Sequence, residues 1–176
     1  MAELQSNFDF QLMSLSYKLR DFLEPRMNIL SEVGIKPGFQ VLDYGCGPGS
    51  YILPLVKLVG ESGKIYALDI HPLAIQKVRN ITAKKKLTNV ETIQSECKTG
   101  LPASTIDVAL LYDILHDLEN PPAVLAELHT VLKPEGILSV HDHHLKENEL
   151  IARINDSGLF QLSMKGEKVY NFTKIV

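Results

Sequence analysis

The sequence predicts a doubly wound α/β domain: a mostly parallel sheet with helices on both faces and an antiparallel hairpin at its end. Three observations predict it. From residue 40 onward, short apolar strands alternate with helical segments. The stretch IDVALLY at 106–112 is a nearly continuous apolar run, which suits a central parallel strand covered on both faces. The tail alternates on either side of Lys165-Gly166-Glu167, as a hairpin does.

The first 33 residues read as helical, with Leu12, Leu15, Leu19, Phe22 and Leu23 at helical spacing. Pro25 splits them, and a second helix with Met27, Ile29, Leu30 and Val33 stops at Gly34. After a turn at Lys36-Pro37-Gly38, Gln40–Tyr44 is a strand and Ser50–Val59 a helix, with Pro54 near its first turn. Lys64–Ile70 is the second strand. Pro72 opens a helix reaching about Lys86, with Ala74, Val78 and Ile81 on one face. Val90–Glu96 is the third strand and Ile106–Tyr112 the fourth. Asn120-Pro121 is a cap and first-turn pair, and Val124, Leu125, Leu128, Val131 and Leu132 form the stripe behind it. Lys133–Gly136 is a turn, Ile137–Val140 the fifth strand and Lys146–Asp156 a helix stopped by Gly158. The resulting pattern is βαβαβαβαβαββ. Ligands in such sheets bind at the carboxyl ends of the strands, near the point where the strand order reverses.

Composition narrows the function. A chain of 176 residues is one compact domain, with a helical N-terminal segment at 1–33 followed by the α/β domain at 34–176. With 45% hydrophobic and 22% charged residues it is neither disordered nor collagen-like. A net charge of −3 gives no reason to expect a nucleic-acid partner, and Lys84-Lys85-Lys86 reads as a solvated helix end. Asn120-Pro121-Pro122-Ala123 opens a helix and lacks the aromatic residue of a base-methylating motif. Cys46 and Cys97 are too few for a disulfide framework, and no CxxC pair exists. MAELQSNFDF lacks the basic and apolar regions of a signal peptide, and no apolar run is long enough to span a membrane. A cytoplasmic monomer or homodimer is the expectation.

The informative segment is Asp43-Tyr44-Gly45-Cys46-Gly47-Pro48-Gly49, between the first strand and the first helix after it. Its glycines let the backbone turn sharply and approach a ligand, and the helix N-terminus behind them favours an anionic group. A dinucleotide fingerprint wants G-x-G-x-x-G. Gly45 and Gly47 fit, but the third position is Ser50, and the glycine comes one residue early at Gly49. Asp43 would repel a pyrophosphate and suit an ammonium or sulfonium. A zwitterionic amino acid joined to a nucleoside fits both the glycines and the acid.

On these residues the chain resembles the class I S-adenosyl-L-methionine-dependent methyltransferases, in the small-molecule group of the quinone-biosynthesis C-methyltransferases. The resemblance spans about 26–176 and implies a seven-stranded Rossmann-like sheet. It implies that Asp43, Gly45, Cys46, Gly47 and Gly49 hold the cofactor. Asp69 in YALDIHP would bond both ribose hydroxyls, and Ile70 would pack on adenine. Glu96 would take the adenine amino group and the Cys97 N–H would donate to the ring; the family more often has Asp and a small residue there. Asp113 would face the methionine part and His116 the substrate, His116 as general base with Asp113 as its orienter. The resemblance also makes 1–33 a helical lid over the methyltransferase domain at 34–176, with Tyr17, Lys18 and Arg20 facing the cofactor or substrate there.

Several readings stay open beside these. Asp69 is also placed to cap the helix at Pro72. His116 is also a helix-start histidine. Strand alternation points His141 and His143 one way, Asp142 and His144 the other, which does not gather metal ligands unless the strand has ended. Asp113 and Asp142 are placed so that both could reach the pocket, as carboxylates do in metal-dependent O-methyltransferases, but no metal is expected, and the cluster reads as a polar rim of the substrate pocket. Neither cysteine reads as a reactive thiol. The function expected is transfer of a methyl group by direct displacement to a small molecule. The alternatives are a catalytically degenerate cofactor-binding module or partner subunit, and a nicotinamide oxidoreductase, which the misplaced third glycine disfavours.

Overall fold

A computed structural model describes residues 6, 10–12 and 26–175. The helix expected over the first 24 residues, with Leu15, Leu19, Phe22 and Leu23, lies mostly outside the described residues, as do Tyr17, Lys18 and Arg20. The elements are α1 (Arg26–Leu30), β1 (Gln40–Tyr44), α2 (Ile52–Val59), β2 (Lys64–Asp69), α3 (Pro72–Lys85), β3 (Val90–Gln94) and β4 (Ile106–Tyr112). A 3-10 turn (Leu115–Asp117) leads to α4 (Pro121–Val131), β5 (Leu132–His141), α5 (Glu147–Asn155), β6 (Phe160–Lys165) and β7 (Tyr170–Lys174).

The seven strands form one sheet in the order β3-β2-β1-β4-β5-β7-β6. The first five are parallel, and β7 runs antiparallel to both β5 and β6. The order reverses between β1 and β4. Alternation along the strands divides the core between two faces. Leu42, Leu68, Ala109 and Leu111 pack with Leu125 and Leu128 of α4 and Ile154 of α5. Val41, Ala67, Val108 and Leu110 pack with Ile29 and Leu30 of α1, Leu55 and Val59 of α2 and Val78 of α3.

Three elements differ from the sequence reading. The repeating pattern implied a helix between β3 and β4, and residues 95–105 form none. That segment holds Gly100 and Pro102 and no apolar helical stripe, so nothing would pay for ordering a helix there. The helix expected from Ser50 starts at Ile52, because residues 46–51 turn under the glycines first. The turn expected at 133–136 falls within β5, which begins at Leu132. Leu132 pairs with Ile106 and Ile137 with Val108, so four residues on β5 face one on β4 and bulge outward there.

The β6–β7 turn reaches past the end of β5. Lys168 N–H donates to the Glu32 carboxylate at 3.1 Å, and Asn171 Nδ2 donates to the Glu32 carbonyl at 3.1 Å, joining the hairpin to the segment after α1.

Candidate cofactor and acceptor site

Asp43 stands at the carboxyl end of β1, 2% exposed, next to the reversal of strand order. Its Oδ2 is buried and has no hydrogen-bond partner in the protein. Burial, with the Asp69 charge adding to it, raises its pKa from 3.8 to about 7. A buried acid with a spare oxygen suits a cationic or donor group arriving with a ligand.

The loop after it is fixed to β2. Gly45 and Cys46 N–H groups both donate to the Leu68 carbonyl, at 2.8 and 2.9 Å. Gly45, Gly47 and Gly49 all have positive φ, at 78°, 49° and 87°. Gly49 has a second reason to lack a side chain. A Cβ there would sit 3.1 Å from Ile81 Cδ1 and 3.2 Å from Val78 Cγ2, so this glycine lets the loop press against α3. The Cys46 thiol is pushed well above its usual range by burial and by Asp43 and Asp69, which leaves it neutral and unreactive.

Asp69 ends β2 and faces the same loop. Its Oδ2 accepts the Gly47 N–H at 2.8 Å and its Oδ1 accepts the His71 N–H at 2.8 Å. It does not cap α3. The His71 imidazole does, with Nδ1 accepting from Leu73 N–H at 3.1 Å. Burial raises the Asp69 pKa against the pull of the His71 and Gly47 N–H groups. Each of its oxygens keeps a lone pair for a hydroxyl donor. Ile70 is half-buried beside it. Phe10 stacks on the His71 ring at 4.4 Å and 17°.

Beyond β3 the Glu96 residue is exposed, and its carbonyl accepts from Tyr44 Oη at 2.9 Å. Cys97 is half-buried, its thiol raised by burial.

Past β4 and β5 the structure sorts the histidines and acids into two pairs. His116 Nδ1 lies 2.8 Å and 3.0 Å from the two oxygens of Asp142, which is 6% exposed. The His116 and His144 N–H groups also donate to that carboxylate, at 3.1 and 3.0 Å. A carboxylate facing Nδ1 favours the tautomer with its proton there; Nε2 lies 3.4 Å from Asp117 Oδ2. Asp113 does not orient His116 as expected. Its Oδ1 lies 2.7 Å from His143 Nδ1 and 3.8 Å from His141 Nε2. The strand has ended at His141, so His143 and Asp142 leave the strand alternation and each finds a partner on the chain after β4. Burial works against ionising Asp113, but the His143 hydrogen bond and the His141 and His143 charges outweigh it and hold its pKa below the usual value. Asp113 has φ +53°, a conformation that Asp tolerates better than most side chains. His141 Nδ1 donates to the Lys168 carbonyl at 2.6 Å, which brings the β6–β7 turn to this rim. Among the described residues, no group of three or more such side chains is arranged to hold a metal ion.

Three residues escaped sequence reasoning in their roles. Asp142 read as rim or pocket carboxylate and not as the partner of His116, Tyr44 as strand and Glu127 as part of a helix.

A glycine turn clamped by the acid of the following strand, at the reversal point of a seven-stranded sheet with an antiparallel end, defines the Rossmann-like architecture of class I methyltransferases. Residues 35–174 match the family described as a methyltransferase domain, and the chain belongs to that family. It is 27% identical over 139 residues to the ubiquinone/menaquinone biosynthesis C-methyltransferase UbiE of Marinomonas sp. strain MWYL1, covering 78% of this chain and 55% of that protein. It is 29% identical over 139 residues to the UbiE of Teredinibacter turnerae, covering 77% and 56%. The chain thus spans about half the length of these curated relatives. Among solved structures, it superposes on a SAM dependent methyltransferase from Aquifex aeolicus with a TM-score of 0.77 and 29% identity, covering 90% of this chain and 97% of that one. A methyltransferase structure from Methanococcus maripaludis, at 15% identity and TM-score 0.78, shares the fold. No helix among the described residues is long and apolar enough to cross a membrane.

Proposed function

We propose that the protein is an S-adenosyl-L-methionine-dependent methyltransferase acting on a small molecule. The observation that carries this reading is the buried, unpartnered Asp43 Oδ2 beside a loop clamped to Asp69. A pyrophosphate would be repelled there, whereas an amino-acid ammonium would satisfy the acid. The residues present fit that cofactor. Asp43 and the backbone of Gly45, Cys46, Gly47 and Gly49 would hold its methionine part together with Asp113. Asp69 would accept the ribose hydroxyls, Ile70 would pack on the adenine, and Glu96 with the Cys97 N–H would meet its polar edge. When bound, the cofactor supplies an electrophilic methyl group on a sulfonium.

The remaining work of the protein is to hold the acceptor in line and, where the accepting atom bears a proton, to remove it. Positioning alone is worth about 7–11 kcal/mol. His116, oriented through Nδ1 by Asp142, is the base this reading assigns. Of the segment 1–33 read as a lid, Phe10 lies on the His71 ring beside Asp69, which supports that role, whereas Ile29, Leu30 and Val33 pack into the core. Two free cysteines suit the cytoplasm, where a monomer or homodimer is proposed.

The test is incubation with methyl-labelled S-adenosyl-L-methionine and pools of small acceptors: phenols, amines, thiols and carboxylic acids. Label transferred to one pool, and lost in His116→Ala, is the expected result. Tight cofactor binding with no transfer to any pool would favour the catalytically degenerate binding module instead.

A further inference from the structure

We propose that Glu127, on the core side of α4, is a positioning residue that fixes the loop whose Glu96 and Cys97 meet the adenine. This rests on the role assigned above to Glu96 and Cys97. The segment 95–105 has no helix to set its course, so its shape comes from point contacts. Ser95 N–H donates to the Asp69 carbonyl at 3.1 Å, and Tyr44 Oη donates to the Glu96 carbonyl at 2.9 Å. Three residues later, Thr99 is fixed from the other side. Its N–H and its hydroxyl both donate to Glu127 Oε1, at 2.8 and 2.7 Å, and the same hydroxyl accepts the Leu101 N–H at 3.1 Å. Only Cys97 and Lys98 lie between the two anchors, so the direction of the Cys97 N–H follows from them.

The placement of Glu127 argues for geometry rather than stability. It is 7% exposed and lies beside the apolar stripe of α4, next to Leu125 and Leu128. A buried charge there is costly, and an apolar residue of similar volume commonly stabilises a fold as well or better. What an apolar residue would not provide is two acceptor bonds to one loop residue. Burial alone would raise the Glu127 pKa, but the Lys98 ammonium at 2.9 Å and the Thr99 donors outweigh it and keep the carboxylate ionised. Lys98 itself is 80% exposed, so the buried Thr99 contact is the one that fixes the backbone.

The experiment compares affinity for S-adenosyl-L-homocysteine with affinity for S-nebularyl-L-homocysteine, in which a hydrogen replaces the adenine amino group and N1 keeps its lone pair. One well-made hydrogen bond to that group corresponds to about a tenfold preference for the adenosyl compound in the native protein. Glu127→Gln and Thr99→Val are expected to reduce the preference to below about threefold, mainly by weakening the adenosyl compound. Thr99→Val keeps the side-chain volume and decides the matter if Glu127→Gln does not fold. A Glu96→Ala variant separates the two levels. Preference lost in Glu96→Ala but kept in Glu127→Gln and Thr99→Val overturns this proposal alone. Preference kept in Glu96→Ala, or absent from the native protein, overturns the reading of Glu96 and this proposal with it.

Discussion

The Asp69 carboxylate accepts the backbone N–H of Gly47 at 2.8 Å, tying the glycine loop after β1 to the end of β2. The bond joins the two sequence features that most clearly suggested a nucleoside site. It also makes the loop's shape depend on a side chain 22 residues away.

Asp69→Ala therefore removes an acceptor for two backbone donors, Gly47 and His71. Hydrogen bonds to a charged group are worth about 1.5–3 kcal/mol, discounted here for the partial exposure of the site. The ligand-free variant is expected to lose about 2 kcal/mol, lowering Tm by about 4–8 °C in calorimetry.

Asp43 makes ligand-free stability depend on pH. Below pH 4 the acid is protonated in both folded and unfolded chains. Between 4 and about 7 the unfolded chain ionises while the folded one keeps its proton, so stability falls as pH rises through that window and levels above it. The shift from 3.8 to about 7 sets an upper bound of about 4 kcal/mol. Urea unfolding of the native protein and Asp43→Asn at pH 5, 6 and 8 checks this; the variant is expected to lack that slope. Cofactor binding runs the other way. Pairing with an ammonium favours the ionised acid, so S-adenosyl-L-homocysteine should bind more tightly as pH rises through 7 and release protons below it. Calorimetry in two buffers of different ionisation enthalpy reads that release directly.

Gly49 is expected to tolerate substitution worse than Gly158. Both have positive φ, at 87° and 68°, so alanine at either costs about 1–2 kcal/mol. A Cβ at Gly158 meets nothing within 4 Å, whereas at Gly49 it meets α3 at 3.1 Å. Gly49→Ala should lose roughly a further 1–2 kcal/mol, read as a larger drop in urea midpoint.

Asp142→Asn is expected to leave His116 in place but free its proton to move to Nε2. With the acceptor identified by label transfer, kcat should fall by about 10²–10⁴-fold, while S-adenosyl-L-homocysteine affinity changes less than about twofold. The tautomer is visible in the nitrogen chemical shifts of His116. Asp113→Asn should leave those shifts unchanged.

Much of this was legible locally. The strand pattern, the hairpin and the spacing from Asp43 through Gly49 to Asp69 are properties of neighbouring residues, whereas the same pattern fits more than one doubly wound sheet order. What was not legible depends on register between distant strands. Tyr112 pairs with His141, which sets the segment after β4 opposite the segment after β5 and gives His116 to Asp142 and His143 to Asp113. The missing helix before β4 was hidden for a related reason. Its place is taken by contacts from Tyr44 and Glu127, 52 and 28 residues away from the groups they hold.

The most direct test of the account is a thermal shift with S-adenosyl-L-homocysteine, run beside NAD and beside Asp69→Ala. A ligand at 100 times its Kd adds about 2.7 kcal/mol, which for a chain of this size is about 5–10 °C. The account predicts that shift for the native protein with S-adenosyl-L-homocysteine, none with NAD, and none for Asp69→Ala. No shift at millimolar S-adenosyl-L-homocysteine, or an equal one with NAD, would contradict it.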